Sequence, residues 1–298
     1  MIVYGAGAEQ PWALNALKRA GFRNIFMSFF YVSKKKTLRE VLAGVGFTYP
    51  IRLMVDSGVF SLIEGMKRGA IGEVDFEAYA QTYYEWLKAN ASHITTCVNL
   101  DLDAIVGCKK VDDWNERYFY DIEKNHGIEV AYVWHKERTR ADFLRFCRQY
   151  RYIAFSAKLD KGFNLSLANS WVRKAADYGT KVHGLAMTRW DALKRTPYYS
   201  CDSTTWLSGT RYGITAFKHP TAPSMRIYGK NDKDQARKRW RRQITEAGLD
   251  YDRIINDDGG EVSAWFARQV HDMNAQIDRT NQSIWYRGGR RDGQEAQA

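Results

Sequence analysis

The run RLMVDSGVFS at residues 52–61 decides how the rest of the chain is read. Leu53, Met54 and Val55 are apolar, Asp56 ends them abruptly, and Ser57 and Gly58 turn the chain ahead of an aromatic, Phe60. A short apolar run bounded by a glycine turn predicts a buried strand. An acid at the C-terminal tip of a parallel strand stands where α/β folds bind their ligands. Gly58 lets backbone approach a ligand closely, and Phe60 offers a face for stacking on something flat. Capping of the next helix is the other use for Asp56. One strand tip does not choose between them.

The same pattern occurs twice more. Residues 94–101 (ITTCVNLD) end in Asp101 with Asp103 just beyond, and residues 198–202 (YYSCD) end in Asp202. Further strands are expected at 2–4, 24–32, 129–134, 152–157 and 181–187. His135 and Lys158 stand at the tips of the fifth and sixth. Helical patterns separate them; Phe76, Tyr79, Ala80, Tyr83 and Leu87 recur at spacings of three and four. Eight strands alternating with helices predict a (β/α)8 barrel of the TIM type, with a doubly wound open sheet as the other candidate. Closure would gather the acids of the third, fourth and eighth strands at one mouth. His183, inside the seventh strand, reads as a core or rim histidine rather than a catalyst.

The bulk composition bounds the function. The 298 residues are 45% hydrophobic, enough to bury a large core, and no apolar run is long enough for a membrane span. The start, MIVYGAGAEQ, lacks the basic and apolar regions of a signal peptide, and four scattered cysteines form no CxxC pair. Both features predict a reduced, cytoplasmic setting. The GAG at 5–7 lacks the third glycine and the acid of a dinucleotide loop. A P-loop, an HExxH pair and a GxSxG elbow are absent as well, so no cofactor is expected.

The net charge of +11 points to a polyanionic partner, and nucleic acid fits better than a membrane surface. After Trp206 the alternation loosens into a basic insertion at about 208–245. It carries Arg237, Lys238, Arg239, Arg241 and Arg242 on one expected helix around Trp240, a pattern suited to phosphate contacts. Residues 262–277 are expected to form a last covering helix. The chain reads as one domain over 1–286, with a charged, Gly-rich tail at 287–298 expected to be disordered.

Three acids at one mouth suit acid/base and nucleophilic work at a sugar anomeric carbon. In their order and spacing, DSGVFS at 56–61, Asp101 in VNLD, HGLAM at 183–187 and CDSTTW at 201–206 resemble the motifs of tRNA-guanine transglycosylases. The compact length and the DSTTW ending are most similar to the phage-associated branch, the DNA 7-deazaguanine transglycosylases. The resemblance spans most of residues 1–206. It implies Asp202 as the nucleophile at C1′, Asp56 as the acid/base group and Asp101 as a reader of the base edge. It further implies that Phe60 stacks on the base while Gly184, Leu185 and Ala186 give it backbone contacts. Ser57 and Gly58 beside Asp56 are expected to line the same substrate site, and His135 and Lys158, from their places at strand tips, to contact base or phosphate.

The partners implied are DNA, or tRNA, and a free 7-deazaguanine such as preQ0, in the host cytoplasm if the gene is a phage's. Two departures stand out. The CxCxxC zinc site of the tRNA enzymes is missing, which favours DNA, and Val59 and Ser61 replace the usual Gly and Gln of the first motif. A non-catalytic nucleic-acid-binding subunit and a glycosidase acting on small sugars are the rival readings.

Overall fold

The structure, a computed structural model, describes residues 1–34, 38–135, 137–156, 165–187, 190–219 and 224–281. Lys158 and the tail 287–298 lie outside them. Eight strands, β1 (Ile2–Ala6), β2 (Asn24–Ser28), β3 (Arg52–Asp56), β4 (Thr96–Val98), β5 (Glu129–Val133), β6 (Tyr152–Ser156), β7 (Lys181–Leu185) and β8 (Ser200–Ser203), form one closed barrel in chain order. Every neighbouring pair is parallel, and β1 closes against β8 with Tyr4 opposite Asp202. The (β/α)8 barrel expected from the sequence is the fold.

Alternation along each strand builds two cores. One set of side chains, including Tyr4, Ala6, Phe26, Met54, Val98, Ala131, Val133, Tyr152 and Ala154, fills the barrel interior. The other set, with Ile25, Leu53, Val55, Val130, Ile153 and Val182, packs outward against Leu14, Leu17, Tyr83, Leu87, Phe146 and Val172 of the helices. Each side chain fully buried in this way contributes roughly 1.5–3 kcal/mol. The inward positions have a consequence for function. Asp56 shares its face with Met54, and Asp202 shares its face with Ser200, so both acids point into the barrel at its C-terminal end.

Residues 29–32, expected as strand, leave the sheet. The chain turns at Ser28 into the helical turn Phe29–Val32, and Phe29 packs against the rings of Tyr79, Tyr83 and Trp86. An aromatic run fits either state, and burial against the helix Phe76–Ala89 decides it. That helix opens where Asp75 accepts from the Glu77 and Ala78 amides.

Beyond β8 the chain forms a hairpin, β9 (Thr215–Lys218) with β10 (Met225–Tyr228), then the short helices Lys233–Arg239, Arg241–Glu246 and Tyr251–Ile255. The basic run expected on one helix breaks at Trp240, whose indole stacks on Phe217 with centroids 5.0 Å apart. The last helix, Gly259–Asn281, packs beside the helix Pro11–Arg19. That earlier helix carries the chain from the C-terminal end of β1 to the N-terminal end of β2. Arg19, its last residue, therefore lies toward the strands' N-terminal ends. Arg19 pairs with Glu261 and reaches the Gly248 carbonyl, so the basic helices are anchored on that flank. Among the described residues, no helix is long and apolar enough to cross a membrane.

Candidate active site at the barrel mouth

Asp56 ends β3 and is held from one side. Its Oδ1 accepts from the Gly58 amide at 2.9 Å and from Ser57 Oγ at 3.4 Å. Gly58 has φ 75°, and a Cβ there would sit 2.4 Å from Phe30 Cβ and 2.8 Å from the Phe30 amide nitrogen. Only glycine allows the turn. The Ser57 carbonyl is fixed in turn by the Tyr79 hydroxyl at 2.5 Å. Among the described residues no Lys or Arg pairs with Asp56. Burial lifts its carboxyl to about 7, opposed by the Gly58 amide and reinforced by the charges of Asp202 and Asp101.

Asp202 is held differently. Its Oδ1 accepts from the Ala186 amide at 2.7 Å and lies 3.3 Å from His183 Nε2. Ala186 has φ 51°, a left-handed conformation that is costly for a residue with a side chain and that accompanies its amide pointing at Asp202. The Ala186 amide, expected to contact a base, is thus committed to Asp202. His183 Nδ1 lies 2.6 Å from Ser200 Oγ, which also bonds the Tyr152 hydroxyl. His183 is fully buried, as the sequence suggests, yet it touches the proposed nucleophile. The available signal was period two: His183 and Leu185 share the inward face, and β7 sets His183 beside Ser200.

Asp101 follows β4, where Asn99 Oδ1 accepts from the Val133 amide and ties that loop to β5. Burial pushes the Asp101 carboxyl up to about 6, opposed by His135, whose Nε2 lies 3.6 Å from Oδ1. His135 also pairs with Glu137. Just behind, Asp103 and Arg138 form a buried ion pair at 2.6 Å, and Arg138 meets Asp112 at 2.9 Å. Phe60 is 77% exposed beside this mouth, which leaves its ring free to stack. Gly184 is packed so that a Cβ would meet Met187 and Tyr198 at 3.1 Å, and Leu185 joins the inner core. The structure therefore brings Asp56, Ser57, Gly58, Phe60, Asp101, His135, Ala186 and Asp202 to one end of the barrel.

The basic residues do not join them. Arg237 is a correction: its side chain is fully buried and paired with Asp257 at 2.7 Å and Asp234 at 3.5 Å, so it holds the fold and is closed to phosphate. Arg242 pairs with Glu246, and Arg241 stacks over Tyr251. Lys238, Arg239, Arg241 and Arg242 are exposed, but on the flank anchored to Arg19 rather than at the mouth.

Among the described residues no group of three His, Cys, Asp or Glu side chains is arranged to hold a metal ion. No family model matches the chain, and no curated protein matches it.

Proposed function

We propose that the protein is a base-exchange transglycosylase that replaces guanine in DNA with a 7-deazaguanine base of the preQ0 type. The observation that carries this reading is the pairing of unlike carboxyls at one mouth. Asp56 is lifted to about 7, within reach of both protonation states at neutral pH. Asp202 has one oxygen engaged by the Ala186 amide and His183, leaving Oδ2 open for attack. Two carboxyls held in different ways at one mouth can divide nucleophile from acid/base work.

The chemistry balances without a co-reactant. The target nucleotide leaves the stack to reach the mouth, where Phe60 meets its face. Asp202 Oδ2 attacks C1′, the C1′–N9 electron pair leaves on guanine, and guanine takes the proton of Asp56. The incoming deazaguanine gives its N9 proton back to Asp56 and attacks C1′, and the C1′–Oδ2 pair returns to Asp202. Asp101, beside His135 at the same mouth, would accept the donors of a base edge.

The test is incubation with duplex DNA, single-stranded DNA or tRNA, each with labelled guanine or preQ0, wild type beside Asp202→Ala. Label entering DNA alone, and reduced about 10⁴-fold or more in the variant, is the expected result. Entry into tRNA alone would keep the chemistry and replace the substrate. One observation favours a second reading, a glycosidase of small sugars: the exposed cations lie off the mouth. Hydrolysis of aryl glycosides with no base exchange would select it.

A further inference from the structure

We infer that Tyr152, Ser200 and His183 form a buried positioning relay that dictates which oxygen of Asp202 reacts. This rests on the transglycosylase reading for its catalytic consequence, but the relay itself stands on geometry. Tyr152 on β6, His183 on β7 and Ser200 on β8 are all essentially inaccessible, and strand pairing sets Ala154 beside His183 and His183 beside Ser200. His183 is clamped by rings: Phe26 stacks on it at 6.1 Å and 5°, with Tyr4 and Tyr152 edge-on at 6.1 and 6.4 Å.

The direction of the row follows from chemistry. Asp202 Oδ1 already accepts the Ala186 N–H, so it acts as an acceptor and His183 Nε2 must carry the proton that faces it. With its proton on Nε2 alone, His183 leaves Nδ1 to accept from Ser200 Oγ–H, and Ser200 Oγ accepts from Tyr152 O–H. Three hydroxyl or N–H donors thus run one way and end at Asp202. An apolar residue in each place would pack a barrel interior at lower cost, because buried polar groups must be satisfied. The row earns its burial by what it does to the carboxyl.

With Oδ1 engaged, Oδ2 is the oxygen that bonds C1′. Oδ1 is then the ester carbonyl oxygen, and the same two donors receive the charge that returns to it when the ester C1′–Oδ2 bond breaks. His183 is a positioning residue: it acts through Asp202 and touches no reacting atom.

The experiment uses the full chain and two readouts. The first is the 15N spectrum of histidine-labelled protein at pH 8, tractable because the chain has six histidines. The expected result is a His183 signal with the proton on Nε2, shifted in Asp202→Ala; a proton on Nδ1 overturns the relay whether or not the protein exchanges bases. The second is single-turnover guanine release. His183→Ala is expected to lose about 10²–10³-fold and Ser200→Ala about tenfold, as for loss of oriented donors. His183→Gln, which keeps an N–H at similar reach, should regain most of the rate, with KM for the polynucleotide unchanged in all three. Alanine variants that fold and release guanine at the wild-type rate would overturn the proposal. Wild type that exchanges no base would sink the transglycosylase reading instead, and the tautomer would still decide the relay.

Discussion

Two acids, one at the tip of β3 and one just past β4, meet opposite fates. Asp103, on the rim after β4, is fully buried and answered by Arg138, which is shared with Asp112, which is shared with Arg145. Charges alternate along that row, and Arg138 also lies over the Phe146 ring. Burial raises the Asp103 carboxyl, and Arg138 opposes the rise. Asp56, at the mouth, has hydrogen-bond donors on one oxygen but no cation among the described residues, and its carboxyl climbs to about 7. A buried acid with a matched cation ties loops together. A half-buried acid without one, like Asp56, keeps a proton available, and that is chemistry.

The contrast can be broken first at the rim. Arg138→Met should cost about 3–5 kcal/mol in denaturant unfolding, because Asp103 is left buried and alone. Asp103→Leu with Arg138→Met should recover most of that loss. A near-neutral single variant would show that the rim row does not hold the fold.

Asp56→Asn should move stability the other way. The unfolded carboxyl ionises near pH 4 and the folded one near 7, so between them the folded state binds the extra proton. Wild-type stability therefore falls as pH rises from about 4 to about 7 and is level above. The variant lacks that slope and should melt higher than wild type at pH 8, while its exchange rate drops about 10²–10⁴-fold. A wild-type melting temperature flat over this range would remove the argument for a protonated Asp56.

Smaller effects sharpen the map. Phe60→Ala should weaken polynucleotide binding by about 1–3 kcal/mol, the worth of a stacked base. Its unfolding should stay within about 0.5 kcal/mol of wild type, since the ring is 77% exposed. Replacing Lys238, Arg239, Arg241 and Arg242 together by Gln should leave exchange on a short oligonucleotide unchanged. Binding of a long duplex, able to reach the flank, should lose up to about 0.9 in salt slope per phosphate contact removed. Equal loss on both lengths would place these cations in the substrate path.

The barrel was legible because its signals are local: apolar runs of strand length, glycine turns and strand-end acids all lie within a few residues. Asp56, Asp101 and Asp202 were found by the same signal. What escaped depends on partners distant in sequence. Arg237 looks like its basic neighbours until Asp257 folds onto it. His183 reads as a core histidine because the residues that give it a role, Ser200 and Asp202, arrive on the next strand. Residues 29–32 carry aromatics at home in a strand, and the helix Phe76–Ala89 bends them away. The place of the basic helices is set by Arg19 at the other end of the chain.

One consequence of the Asp56 carboxyl concerns direction. With its carboxyl raised to about 7, Asp56 can both give and take back a proton near neutral pH. The proposed first half-reaction consumes the acid form, and the second restores it, so the site adds no thermodynamic bias of its own. Forward and reverse exchange would then be governed by mass action. The ratio of free guanine to free deazaguanine, together with the intrinsic equilibrium constant between the two glycosidic bonds, would set how much of the polymer carries the new base.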